Sequence, residues 1–103
     1  MTLEVAFDPY APDLLRLPWV DVTDLAKAVD GTVYGNGGRV RGAVIDNRVV
    51  RGGELFVAMP GFHVHGAKFA ADAAARGAGA VLSDPAGMAF LADLDIPAII
   101  VPD

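Results

Sequence analysis

A chain of 103 residues, 53% hydrophobic and 20% charged, is too apolar to be disordered and long enough for one small domain, which buries about two-thirds of the surface its unfolded form exposes. Thirteen acidic against eight basic residues leave a net charge of −5, which argues against a nucleic-acid partner, because phosphate backbones are held by clustered Lys and Arg. No apolar run nears the roughly 20 residues that cross a bilayer. The N-terminus lacks the basic-then-apolar layout of a secretory signal, and the absence of cysteine excludes a disulfide framework or a thiolate metal site, so the expectation is a soluble, cytoplasmic protein without a membrane partner.

In chain order, residues 1–21 read as an irregular lead carrying Pro9, Pro12 and Pro18, with Trp19 anchoring it to the core, and residues 22–103 as a single α/β core. Val22 to Asp30 places Val22, Leu25, Ala26 and Val29 on one helical face, with Asp21 or Thr23 to cap its start and Gly31 its end. Gly35-Asn36-Gly37-Gly38 is a turn and Val40 to Asp46 a strand. The Val49 to Gly53 link is too short for a parallel crossover, so the flanking strands are expected to be antiparallel neighbours or not neighbours, in a mixed sheet. From Leu55 the pattern becomes strand (55–59), helix (67–76), strand (78–82), helix (86–94), strand (98–101). That alternation predicts parallel strands buried on both faces, hence a three-layer α/β sandwich with a small mixed, largely parallel sheet.

Special backbone signals concentrate between Asp46 and Gly66. Asp46-Asn47-Arg48 is an acidic, polar, basic triplet; Gly52-Gly53 a tight turn; Leu55 to Met59 a buried strand; Gly61 to Gly66 a glycine-bounded loop that opens a helix. Such a loop is expected to offer unpaired backbone N–H groups to a phosphate or a polar ligand edge. Four of the eight basic residues, Arg39, Arg41, Arg48 and Arg51, surround the triplet. They read either as a local anion site fit for a diphosphate or as solvated surface. Asp46 and Arg48 have a structural reading too, fixing the turn through side-chain to backbone bonds and a local ion pair. Gly61 to Lys68 fails as a P-loop, because the lysine is displaced and no Ser or Thr follows it. Gly35 to Gly38 fails as a dinucleotide fingerprint, because a strand follows it. His63 and His65 alone leave a zinc site short of ligands.

The triplet, the Leu55-Phe56-Val57-Ala58-Met59-Pro60-Gly61 strand, the loop ending at Gly66 and the run Gly77-Ala78-Gly79-Ala80-Val81-Leu82-Ser83-Asp84-Pro85-Ala86-Gly87 resemble, over roughly residues 40–103, the N-terminal domain of the Mur ligases. These are the ATP-dependent peptide-bond-forming enzymes of peptidoglycan synthesis, and the MurE type is the nearest match. The resemblance implies a domain that holds the uridine diphosphate end of UDP-N-acetylmuramoyl-dipeptide. Carried over by position, it implies a UDP site made of Ile45, Asp46, Asn47 and Arg48 at the triplet, and Phe62, His63, Val64, His65 and Gly66 in the loop. Uracil needs one donor and two acceptors satisfied, which backbone groups of an irregular loop can supply, while Ile45, Phe62 and Val64 offer an apolar wall. The two histidines then read either as plain loop residues or as part of base recognition. Asn47 departs from the serine of the family pattern.

The family's Gly-x-Gly-Lys-Thr loop, magnesium ligands and carbamylated lysine match nothing in these 103 residues. The implied ATP and magnesium therefore belong to a parent ligase, whose ATPase and C-terminal domains would lie downstream. The chain alone is expected to need no cofactor and neither to bind nor to hydrolyse ATP–magnesium. Two further readings stand beside the ligase domain: a free-standing binding or interaction module derived from it, with a pocket altered at Asn47, and a small independent enzyme.

Overall fold

The computed structural model describes residues 17–61 and 63–102; most of the proline-bearing lead lies outside them. Among the described residues twelve short elements follow in order. They are β1 (Val20–Asp21), α1 (Val22–Ala28), β2 (Thr32–Tyr34), β3 (Arg39–Val40), β4 (Ala43–Val44), a 3-10 turn (Asn47–Val49), β5 (Leu55–Val57), a second 3-10 turn (Gly66–Phe69), α2 (Ala70–Ala75), β6 (Ala80–Ser83), a third 3-10 segment (Pro85–Phe90) and β7 (Ala98–Ile100).

The main sheet has the order β2-β7-β6-β5-β4. Strands β4 to β7 are parallel and β2 runs antiparallel to β7 at the edge, while β1 and β3 form a separate two-stranded antiparallel ribbon. Period-2 alternation sorts each central strand onto two cores. Phe56, Val81, Ala98 and Ile100 pack beneath Ala67, Ala70 and Ala73 at the start of and along α2. Leu55, Ala80 and Ile99 pack on the other face against Val22 and Ala26 of α1. Helices therefore cover both faces, and the three-layer α/β sandwich with a mixed, largely parallel sheet is what the chain forms.

Helix α1 is closed at both ends by local chemistry. Asp21 caps it, its Oδ1 accepting from Thr23 N at 2.8 Å and Asp24 N at 3.4 Å. At the far end Asp30 takes the left-handed conformation (φ 55°), while Gly31 N donates to Ala26 O at 2.7 Å and Asp30 N to Lys27 O at 3.4 Å, a Schellman closure. The expected glycine cap is thus shifted by one residue, with aspartate in the left-handed place. The predicted helix over 67–76 begins as a 3-10 turn and becomes α-helical only from Ala70. The one predicted over 86–94 is a 3-10 segment, because Asp84 draws Gly87 N onto its carboxylate at 3.1 Å and Pro85 opens the turn.

Three expectations fail. The strand predicted from Val40 to Asp46 is broken at Gly42 (φ 73°), so Val40 pairs with Val20 of β1 whereas Val44 pairs with Phe56 of β5. The link between β4 and β5 then runs from Ile45 to Glu54 instead of Val49 to Gly53, and the two strands are parallel neighbours. A 3-10 turn and the buried Val50 carry this crossover over the α2 face without a full helix. The sheet is mixed through β2, not through this link. Trp19 does not enter the core: it is 44% exposed, lies against Gly53, and carries the guanidinium groups of Arg41 and Arg39 at 4.5 and 5.6 Å from its ring centroid.

Candidate functional site

Parallel strands open their ligand crevices at their carboxyl ends, and here the ends of β4 and β5 lead into the triplet and the glycine-bounded loop. Between them lies a cavity of about 590 Å³ lined by Ile45, Asp46, Asn47, Arg48, Met59, Gly61, Val64, Gly66 and Phe69. A second cavity of about 280 Å³ at the β2–β7 edge is lined by Tyr34, Gly35, Met88, Leu91, Ala92, Leu94, Ile96, Ala98 and Ile100. It has no convergence of charged or amide side chains. The larger cavity combines an apolar wall with convergent polar groups, the composition of a small-molecule site.

The triplet builds one side. Asp46 caps the Asn47–Val49 turn, its Oδ1 accepting from Arg48 N at 2.9 Å and Arg48 Nε at 3.0 Å, and its Oδ2 from Arg48 Nη2 at 2.8 Å. This two-pronged pair makes the turn rigid. The side-chain hydrogen bond from Arg48 and the Arg48 backbone N–H hold the Asp46 carboxyl down at about 2, and the same contact raises the Arg48 guanidinium. Asn47 Nδ2 donates to Asp72 Oδ2 on α2 at 2.6 Å, and Arg76 Nε donates to the same oxygen at 2.7 Å. Together these bonds hold the Asp72 carboxyl below its usual range.

The loop builds the other side as a tight excursion. Gly61 N donates to Val64 O at 3.0 Å, Pro60 and His65 form an antiparallel bridge, and Gly66 N donates to Met59 O at 2.9 Å. His65 is the clasp. Its Nδ1 accepts from Ala67 N at 2.9 Å, so the proton sits on Nε2, which donates to Asp84 Oδ1 at 2.7 Å. Phe90 stacks on its ring with centroids 6.5 Å apart. Asp84 is buried, and the bond from His65 holds its carboxyl below the usual range, aided by Gly87 N–H. The expectation of unpaired backbone donors at the helix start is overturned, because Gly66, Ala67 and Lys68 N–H groups are all taken, by Met59 O, His65 Nδ1 and His65 O.

Of the residues expected from sequence, Ile45, Asp46, Asn47, Arg48, Val64 and Gly66 come together around one cavity. His65 turns away from it to Asp84, and His63 is exposed and not among the lining residues. Phe62 lies outside the described residues. The four arginines do not converge: Arg39 and Arg41 flank Trp19, whereas Arg48 is paired with Asp46. Sequence reasoning missed Met59 and Phe69 in the lining, and Asp72, Arg76 and Asp84 behind it. Phe69 and Asp72 carried a usable signal, since both fall one or two turns after Gly66 on the helix that the loop opens. Nothing local marks Asp84.

Residues 39–101 match the model of the Mur ligase family, described as its catalytic domain. The UDP-N-acetylmuramoyl-L-alanyl-D-glutamate–2,6-diaminopimelate ligase of Streptomyces coelicolor is 37% identical over 95 residues, covering 92% of this chain and 19% of that protein. The ligase of the same name from Xanthomonas campestris pv. campestris is 50% identical over 60 residues, 58% of this chain and 12% of that protein. The crystal structure of MurF from Acinetobacter baumannii superposes on 82% of this chain and 18% of that one with a TM-score of 0.62 and 20% identity, a likeness of fold. The chain therefore spans about a fifth of the length of the first of these relatives. With more than half of its residues matched by the family model and 37% identity across nearly its whole length, the chain belongs to the Mur ligase family.

Proposed function

We propose that this chain is the UDP-recognising N-terminal domain of a MurE-type ligase, and that it holds the uridine diphosphate end of UDP-N-acetylmuramoyl-dipeptide in the cavity between the triplet and the Gly61–Gly66 loop. The carrying observation is the composition of that cavity: Ile45, Val64 and Phe69 line it beside the amide of Asn47 and the 77% exposed guanidinium of Arg48. A flat apolar wall suits a pyrimidine ring, an amide suits its edge, and an accessible cation suits the diphosphate. The names of the relatives, ligases of a UDP-N-acetylmuramoyl peptide, support the same ligand. Catalysis, with ATP and magnesium, belongs on this reading to further domains of a cytoplasmic parent enzyme, for which this one supplies an anchor. Among the described residues no helix is long and apolar enough to cross a membrane.

Without contacts from other domains, affinity for UDP should lie in the micromolar to millimolar range, roughly −8 to −4 kcal/mol. A titration followed by NMR should confine its shifts to residues 45–48, 59–66 and 69. Equal shifts with AMP, or none with millimolar UDP, would overturn the reading.

A further inference from the structure

Asn47 is held in one orientation by α2. A carboxylate only accepts hydrogen bonds, so the amide atom 2.6 Å from Asp72 Oδ2 is the NH2 group. The same Asp72 oxygen is fixed from behind by Arg76 Nε at 2.7 Å, and Arg76 Nη1 reaches back to Arg48 O at 3.5 Å. Helix and triplet thus form a closed ring of contacts. The Asn47 amide oxygen has no partner among the described residues, while Asn47 itself lines the cavity.

We propose that Asp72, steadied by Arg76, is a positioning residue that locks the orientation of the Asn47 amide and presents its oxygen as a fixed hydrogen-bond acceptor, so that the cavity reads a donor on the nucleoside: the uracil N3–H or a ribose hydroxyl. A free asparagine can turn either its donor or its acceptor toward a ligand and discriminates little. With one N–H bonded to Asp72 the amide can no longer flip, its oxygen keeps a fixed direction without a partner, and a ligand lacking the matching donor leaves that acceptor unpaired. The low-lying Asp72 carboxyl keeps this arrangement in place throughout the neutral range. The inference rests on the cavity being the UDP site and adds the polarity by which the site selects.

The test uses the full chain and its Asn47→Ala, Asp72→Ala and Asp72→Asn variants, titrated with UDP, 3-methyl-UDP, 2′-deoxy-UDP and 3′-deoxy-UDP. In the unmodified protein one analogue should bind about tenfold more weakly than UDP, and which one it is identifies the donor. That gap should shrink to less than about twofold in Asn47→Ala and Asp72→Ala. It should persist in Asp72→Asn, whose amide oxygen, turned by Arg76, still accepts from Asn47. A ligand-free readout accompanies it: the Asn47 side-chain NH2 resonances should be shifted by Asp72, titrate with it at acid pH, and revert in Asp72→Ala. A gap that survives Asp72→Ala unchanged, or NH2 resonances indifferent to that substitution, overturns the proposal. An intact NH2 signature with no UDP binding by the unmodified chain overturns the UDP reading, and the ligand part of the proposal falls with it. Thermal melts of each variant separate these results from unfolding.

Discussion

Gly66 lines the cavity where the loop enters the second 3-10 turn. A Cβ there would lie 2.9 Å from Met59 O, 3.1 Å from Met59 N and 3.3 Å from Ala58 Cα. Those are backbone atoms of the strand end, so the chain must shift to admit any side chain. The reason for glycine is space, not a left-handed φ. Gly66→Val should therefore cost about 1–3 kcal/mol, lower the melting temperature by roughly 4–8 °C per kcal/mol in a domain of this size, and distort the cavity. Lys68→Ala, on an exposed side chain just past the loop, should stay within about 0.5 kcal/mol. Melts and UDP titrations of the two variants side by side decide it; identical behaviour would mean that Gly66 does not shape the cavity. The importance of glycine at 66 was legible in the sequence, because a glycine where a loop enters a helix is an unusual choice. What it approaches was not legible, since Met59 belongs to the preceding strand end and only the Gly66 to Met59 hydrogen bond brings the two together.

The link from β4 to β5 shows why one element was misread. Apolar alternation over Val40 to Asp46 describes a strand and contains no sign of where its pairing partner changes. The break at Gly42 follows from competition for the backbone, as Arg41 N donates to Gly53 O at 2.9 Å while Leu55 N donates to Gly42 O at 3.0 Å. Both contacts depend on a turn that closes a dozen residues later. That turn is itself organised by Glu54, fully buried, whose Oε2 accepts from Arg51 N at 2.8 Å and Oε1 from Gly52 N at 2.7 Å. A buried carboxylate is tolerable because two backbone donors face it, and in exchange it fixes the entry of β5. Glu54→Ala would leave both donors without a partner in a dry site and should destabilise the fold by about 1–3 kcal/mol. Glu54→Gln, which retains one acceptor, should cost less. Denaturant unfolding of the pair checks this, and an alanine variant as stable as the parent would mean that water replaces the carboxylate.

Across the molecule, three carboxylates act in concert around the site. Asp46, Asp72 and Asp84 each have a folded-state pKa below the ordinary 3.8, for reasons of partner rather than burial: Arg48, the Asn47 and Arg76 pair, and His65 respectively. A depressed carboxylate pKa means that the unfolded chain takes up the proton first. Its stabilisation is complete above the unfolded value and disappears as pH falls through the folded one. The expected profile is therefore a flat melting temperature from about pH 7 to 5 and a progressive fall below about pH 4. Added salt should weaken the contributions of the half-buried Asp46 and the exposed Asp72 more than that of the buried Asp84. Circular-dichroism melts across that range test the sign, and a chain that gains stability on acidification would contradict it. The same carboxylates tie the triplet to α2 and the loop to the third 3-10 segment, so the cavity should loosen over the same interval.

The class of fold, the order of the strands after Leu55 and a first helix opening at Asp21 or Thr23 were legible in the amino-acid sequence alone. Each of these is written in local periodicity, capping chemistry or the placement of glycine, and needs no distant residue to be read. It took the folded chain to show that β4 and β5 are parallel neighbours, that Trp19 stays at the surface under two arginines, that His65 bonds to Asp84 and does not line the cavity, and that Asn47 bonds to Asp72. The physical reason is common to all four. Each is a contact between residues well separated along the chain, chosen by competition among backbone donors, carboxylates and cations that have several chemically adequate partners, and packing alone selects which pair meets.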